Sequence, residues 1–180
     1  MSETSIRHKA EAPKRINFAL LVCSTSRYEK LSKGEPFEDL SGNLIIQKLR
    51  ENGHKVVVRK ILPDDKDAIQ KNIMKLLKSR KVDVIITCGG TGISPRDTTI
   101  EAVRPILEKE VEGFGEIFRL ISYEKIGSAA ILTRAIAGIS RGKVIFCIPG
   151  SPQAVSLALE RLILPETGHI LKHAREGMSL

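Results

Sequence analysis

The stretch Val82-Asp83-Val84-Ile85-Ile86-Thr87-Cys88-Gly89-Gly90-Thr91-Gly92 decides the fold, together with its continuation Ile93-Ser94-Pro95-Arg96-Asp97-Thr98-Thr99-Ile100-Glu101-Ala102. Val82 to Cys88 is a short apolar run, as expected of a strand buried on both faces. Three glycines in four residues then let the backbone turn sharply and aim several N–H groups into one concavity that favours anions. Thr98-Thr99-Ile100-Glu101 fits a capping box, with Thr98 as N-cap and Glu101 reaching back. The helix it opens adds a positive N-terminal dipole, and Arg96 adds a planar charged fork suited to phosphate. Residues Thr87 to Ala102 therefore read as a ligand loop for an anionic, phosphate-bearing molecule that leads straight into a helix. The same glycines also fit a plain βα turn. With Thr98 as cap, Asp97 is free to face the ligand and to hold Mg²⁺, a hard cation that takes oxygen ligands. Asp97 could instead cap the helix itself or pair with Arg96. Neither Gly-x-x-x-x-Gly-Lys-Ser/Thr nor Gly-x-Gly-x-x-Gly occurs, so the two commonest nucleotide loops are excluded.

Outward from this loop the pattern repeats. Ile16 to Cys23 and Val144 to Ile148 are further buried-strand runs, and Lys55 to Leu62 alternates in its first half, as at a sheet edge. Helical patterns lie between them. Ser41 is a candidate N-cap for a helix carrying Leu44, Ile45 and Leu49 and stopped at Gly53. Asp65 to Arg80 places Ile69, Ile73, Leu76 and Leu77 on one face. Ser151-Pro152 is a cap and first-turn pair leading Ala154 to Leu164, with Pro165 as its end. Residues 98–140 read as a longer helical segment containing Pro105, Gly113 and Gly115, in which Pro105 should kink or restart the helix. Alternating strands and helices imply an α/β fold: three layers, with a mostly parallel sheet covered by helices on both faces. Residues 1–14 read as a flexible tail and 15–175 as one domain.

In such sheets ligands sit at the carboxyl ends of the strands. Three more loops fall on that rim: Ser24-Thr25-Ser26-Arg27, Pro63-Asp64-Asp65 and Pro149-Gly150-Ser151-Pro152. Asp64 and Asp97 converging on one phosphate would suit metal-assisted phosphoryl or nucleotidyl transfer. Asp64-Asp65 could equally be a helix-capping pair.

The chain has 180 residues, 42% hydrophobic and 28% charged, which suits a full hydrophobic core. It has no apolar stretch long enough to cross a bilayer and no signal-peptide centre, so the expectation is a cytoplasmic protein without a membrane partner. The net charge of +8 favours anionic ligands. No compact Lys/Arg block is interleaved with aromatics, and aromatics are only 4%, which argues against nucleic acid as the partner. Cys23, Cys88 and Cys147 show no paired spacing and read as small buried hydrophobes rather than zinc ligands. His169 and His173 lack a metalloprotease glutamate and read as surface residues.

These motifs together resemble the MogA/MoaB family of molybdenum-cofactor biosynthesis proteins. The resemblance is carried by Gly89-Gly90-Thr91-Gly92, Arg96-Asp97, Glu101-Ala102, Glu112-Gly113-Phe114-Gly115-Glu116, Phe118-Arg119, Ser122, Ile131-Leu132-Thr133-Arg134, Ala137-Gly138 and Pro149-Gly150-Ser151-Pro152. Asp39 with Ser41-Gly42 matches the loop before a family helix. Val111 to Arg119 and Tyr123 to Gly127 are closer to the MoaB branch. Ser26 stands where the family often has an acid, and Ile100 where many members have proline. The resemblance implies a homo-oligomer, trimer or hexamer, that binds molybdopterin and uses Mg²⁺ and ATP to transfer AMP to its terminal phosphate. It assigns catalysis and metal binding to Asp64 and Asp97. It assigns substrate contacts to Ser24, Asp39, Ser41, Gly42, Gly89, Gly90, Thr91, Gly92, Arg96, Glu116, Ser128, Pro149, Gly150 and Ser151. A non-catalytic molybdopterin carrier is the alternative, and the intact Arg96-Asp97 pair favours the enzyme.

Overall fold

The computed structural model describes Pro13 and residues 15–177, so the tail expected over residues 1–14 lies, apart from Pro13, outside the described residues. A six-stranded sheet runs through the molecule in the order β2-β1-β3-β6-β5-β4. Its strands are β1 (Asn17–Cys23), β2 (Lys55–Leu62), β3 (Val84–Cys88), β4 (Lys109–Glu110), β5 (Ile136–Ser140) and β6 (Lys143–Ile148). The helices are α1 (Thr25–Lys33), α2 (Leu40–Glu51), α3 (Lys66–Leu77), α4 (Thr99–Val103), α5 (Glu112–Ile126), α6 (Pro152–Ala158) and α7 (Leu164–Arg175).

Strands β2, β1, β3 and β6 pair in parallel; beyond β6, β5 pairs antiparallel to β6 and β4 antiparallel to β5, so β5 alone runs against the rest. Side chains of a strand alternate between faces, and the core divides accordingly. Phe18, Leu20, Val22, Ile86, Phe146 and Ile148 pack with Ile45 and Leu49 of α2, Phe114 and Phe118 of α5, and Leu159, Ile163 and Leu171. On the opposite face Ala19, Leu21, Ile85, Ile145 and Cys147 pack with Ile69, Ile73 and Leu77 of α3 and Ile100 and Val103 of α4. This is the expected three-layer α/β arrangement. β2 lies at the edge, as its alternation implied, and only Leu62 of it is fully buried.

Four local expectations need correction. Residues 98–140 are not mainly one interrupted helix. They hold α4, a 3-10 turn (Arg104–Ile106), β4, α5, a second 3-10 turn (Gly127–Leu132) and the buried strand β5. β5 contains Gly138 and only five residues, too little to register as a strand. It exists because it closes a hairpin with β6 through Arg141 and Gly142, both at positive φ (51° and 66°), a twist that suits tight antiparallel turns. Secondly, α2 is capped by Asp39, not Ser41: the Gly42 N–H donates to Asp39 Oδ1 at 2.9 Å. Thirdly, Ser24-Thr25-Ser26-Arg27 is not an open loop but the start of α1, with Ser24 as N-cap.

Finally, Pro165 does not end the last helix. A five-residue π-helical turn, Leu159–Ile163, joins α6 to α7, and Pro165 sits in the first turn of α7. Proline lacks an N–H and its ring crowds the carbonyl four residues back. The wider turn takes up that defect where it arises.

Candidate functional site

The chain leaves β1 for β2 on one side and returns to β3 on the other, so β1 and β3 are neighbours whose connections diverge. The crevice outside their carboxyl ends is where an open α/β sheet binds ligands. Gly89 at the end of β3 presses on the end of β1: it has φ +99°, and a Cβ there would collide with the Cys23 carbonyl oxygen. The loop after β6 closes in from the other side, with a Cβ on Gly150 lying 3.2 Å from the Gly89 Cα. Ser41 of α2 ties that loop down by donating its hydroxyl to the Gly150 carbonyl at 2.7 Å. Ser24, Gly89 to Gly92, Gly150, Ser151 and Ser41 are thereby gathered on one rim.

Asp64 enters this rim from the end of β2. Asp65 caps α3 by accepting from the Ala68 N–H at 2.7 Å, so Asp64 is released from capping. Thr25 donates its N–H and its hydroxyl to Asp64 Oδ2 at 2.8 and 3.0 Å, and the Asp64 N–H donates to Thr25 Oγ1 at 3.0 Å. The other oxygen, Oδ1, is buried and accepts no hydrogen bond among the described residues. It would lie 2.7 Å from a Cβ on Gly90, so it is aimed at the glycine loop. A buried carboxylate oxygen left without a donor is costly and is a natural place for a cation.

Asp97 borders the same loop further on. It would lie 2.7 Å, through Oδ2, from a Cβ on Gly92. The same Oδ2 accepts from the Ser94 N–H at 2.9 Å and closes the turn Ser94 to Asp97. Arg96 is exposed beside it, and only its backbone N–H is held, by Ser94 Oγ at 3.3 Å. No group of three or more His, Cys, Asp or Glu gathers as a metal cage among the described residues.

The capping box does not form. Thr98 occupies the cap position of α4 but makes no side-chain cap hydrogen bond. Glu101 turns instead to Arg134, which donates from Nη1 to Glu101 Oε1 at 2.6 Å and from Nε to the Thr91 carbonyl at 2.9 Å. A charged fork outcompetes one orphan amide at the end of a five-residue helix. Arg134 so clamps the glycine loop to the segment before β5, a role that spacing alone did not reveal. Its hydrogen bond holds the Glu101 carboxyl below its ordinary 4.5. The clamp is present above that value and weakens as pH falls through the lowered one. Arg134→Ala is expected to loosen Gly89–Gly92 and raise the loop's amide exchange while leaving β1 and β3 protected; unchanged loop exchange would remove the clamp.

Two other pairings also escaped the sequence. Arg59 Nη2 donates to the buried Asp39 at 2.6 Å, so Asp39 is committed to both α2 and β2. Thr25 carries the polar contact with Asp64. Glu116 and Ser128 stand apart from these hydrogen bonds: Glu116 is exposed on α5 and Ser128 is exposed in the 3-10 turn before Arg134. A cleft of about 530 Å³ adjoins the rim, bounded by Ser122, Thr133, Pro149, Ser151 and Leu157. A larger groove of about 730 Å³ between α1 and β2 touches the predicted residues only at Asp39. Convergence of polar groups, not size, marks the site.

Cys23, Cys88 and Cys147 are buried thiols as expected, and burial pushes each up to about 12. They are therefore not nucleophiles of this site. Iodoacetamide at pH 8 is expected to label none in the native protein and all three after denaturation. Labelling of the native protein at the rate of a free thiol would contradict this.

Residues 19–169 match the family model described as "Probable molybdopterin binding domain". The chain is 49% identical over 164 residues to "Molybdenum cofactor biosynthesis protein B" of Bacillus cereus, covering 91% of this chain and 93% of that one. It is 49% identical over 173 residues to "Molybdopterin adenylyltransferase" of Pyrococcus furiosus, covering 94% and 97%. The solved structure of the "tungsten cofactor synthesizing protein MoaB from Pyrococcus furiosus" superposes with a TM-score of 0.80 at 47% identity, over 92% of this chain and 100% of that one. A match over most of the chain, at this identity and on this fold, shows the family: the chain belongs to the MogA/MoaB family of molybdopterin-binding proteins, on its MoaB branch.

Proposed function

We propose that this protein is a molybdopterin adenylyltransferase of molybdenum-cofactor biosynthesis, transferring AMP from Mg-ATP to the terminal phosphate of molybdopterin. The observation that carries the reading is the buried, donorless Asp64 Oδ1 aimed at a glycine loop that Asp97 also borders. Close relatives named for this activity support it.

In this reading residues 15–175 act as one unit. The pterin phosphate lies against Gly89 to Gly92, Gly150 and Ser151, with Ser24, Ser41 and Gly42 around it and Arg96 free to swing onto the triphosphate; Ser128 stands outside this group, in the exposed 3-10 turn before Arg134. Glu116 and Asp39 sit further out, and Asp39 acts by holding α2 in place. A phosphate oxygen of molybdopterin attacks the α-phosphorus of ATP. The bond to the β-phosphate oxygen breaks, and pyrophosphate leaves. Asp64 and Asp97 would hold Mg²⁺, which when bound neutralises triphosphate charge. Loop amides and Arg96 stabilise the charge that builds on the α-phosphate. The chemistry needs little proton transfer, so no catalytic histidine is required.

The exposed apolar side chains Ile117, Leu120, Tyr123 and Ile126 on α5, with Ile131 and Leu132, support a homo-oligomer. No helix among the described residues is long and apolar enough to cross a membrane. A cytoplasmic setting fits a supply of ATP.

The test is to mix the protein with Mg-ATP and molybdopterin and measure pyrophosphate and adenylylated pterin in equal amounts. Wild-type protein is expected to release both and Asp97→Asn far less. A well-folded wild-type protein that binds molybdopterin with no nucleotide-dependent turnover would be a carrier, not this enzyme.

A further inference from the structure

A hydroxyl on a helix commonly donates to the carbonyl one turn back. In this chain Ser122 donates to the Phe118 carbonyl at 2.6 Å, and Thr167 donates to the Ile163 carbonyl. Thr99 does neither. It opens α4, so the residues three and four places back lie outside the helix. Its N–H donates to the Gly90 carbonyl at 3.0 Å, which fixes it against the glycine loop. Its side chain is 0% exposed, and its hydroxyl has no hydrogen-bond partner among the described residues. A buried oxygen of that kind is uncommon and calls for an explanation. Its surroundings supply one. A Cβ on Gly90 would collide with both Thr99 Oγ1 and Asp64 Oδ1, the latter at 2.7 Å. Two unpartnered oxygens therefore flank one point, close enough for a single water to reach both at ordinary lengths of about 2.8 Å. Cys23 feels both groups, but burial keeps its thiol neutral, and a neutral thiol is a weak partner for either.

We propose that Thr99 is a positioning residue of the cation site: its hydroxyl holds a water of the divalent ion that Asp64 Oδ1 ligates. This rests on the Asp64 cation site of the adenylyltransferase proposed above. Mg²⁺ keeps several waters and takes only one or two carboxylates, so those waters need fixed partners. A hydroxyl accepts as well as donates, and the backbone bond from Thr99 to Gly90 holds this one in place. Thr99 touches neither metal nor phosphate; it acts through the water and Asp64. Outer partners of this kind change metal affinity by about 10- to 100-fold. Both oxygens are shut from solvent, so the ion enters as the glycine loop shifts, which the freedom of Gly89, Gly90 and Gly92 permits.

The test is the binding of Mn²⁺, a paramagnetic stand-in for Mg²⁺, to the full chain with a non-hydrolysable ATP analogue, followed by electron paramagnetic resonance. Thr99→Val keeps the shape and removes the hydroxyl. It is expected to weaken Mn²⁺ binding about tenfold. Its urea midpoint should stay level or rise, because a buried oxygen without a partner is removed. Thr99→Ser keeps the hydroxyl and is expected to bind within a few-fold of wild type. A hydroxyl that matters only to the fold would lower the midpoint and spare the affinity. No Mn²⁺ binding by wild type, unchanged affinity in Thr99→Val, or an equal loss in Thr99→Ser would overturn the proposal. Failure of the enzyme itself has a different signature: Mn²⁺ binding that depends on Asp64 and Thr99, without pyrophosphate release, keeps this site and removes the adenylyltransferase.

Discussion

Asp64→Asn is expected to lower the rate of adenylyl transfer by about 100- to 1,000-fold, the usual cost of losing one preorganised charge-stabilising group. The substitution is nearly isosteric. The asparagine oxygen can keep the two donations from Thr25, while its NH₂ takes the place of Oδ1 beside Gly90. The fold then survives and the negative charge is lost, along with the second acceptor oxygen. The apparent affinity for Mg-ATP should fall with the rate, and a higher Mg²⁺ concentration should recover part of the loss. Asp97→Asn should act in the same direction. Its oxygen can still accept from the Ser94 N–H and keep the turn closed. An Asp64→Asn enzyme within a few-fold of wild type at limiting Mg²⁺ would show that the orphaned oxygen is not a cation ligand.

Gly89→Ala should be the most damaging change to the fold itself. The φ of +99° is one that side-chain-bearing residues rarely adopt, a strain of about 1–3 kcal/mol. The added Cβ also meets the Cys23 carbonyl, a backbone atom at the end of β1 where Cys23 pairs with Leu62 of β2, and overpacking of that kind costs a further ~1–3 kcal/mol. The sum is a large part of the ~5–15 kcal/mol that holds a domain folded. Gly53→Ala is the control: φ is +78°, but nothing lies within 4 Å of the new methyl, so only the strain remains. Urea unfolding of both variants separates the two contributions. Equal midpoints would mean that β1 gives way at the switch point.

Much of this site is legible in the residues. Largely apolar runs mark β1, β3 and β6 because strands covered on both faces bury nearly every side chain, and a polar one such as Thr87 is kept only with a hydrogen bond, here to the Phe146 carbonyl. The glycine run marks the loop because only glycine turns the chain so tightly there. Asp64 and Asp97 stand out as acids immediately after a strand and within a glycine loop. Reading fails where a residue's partner is distant in sequence. Arg134 takes Glu101 from 33 residues away, Thr25 takes Asp64 from 39, and Ser41 takes Gly150 from 109. The capping box looked complete because its local donors were in view and the competing guanidinium was not.

The sequence by itself determined the layers, the strand runs of the parallel half and the loop chemistry. Periodicity and glycine conformational freedom are properties of a few neighbouring residues. Only the tertiary structure decided that β5 is a strand, that Pro165 sits inside a continuing helix, and that Asp64 keeps one oxygen buried without a donor. Each of those depends on which other segment packs against it. The pairing energy of β5 comes from β6, the tolerance of Pro165 from the wide turn before it, and the exposed need of Asp64 from the way Thr25 occupies its other oxygen.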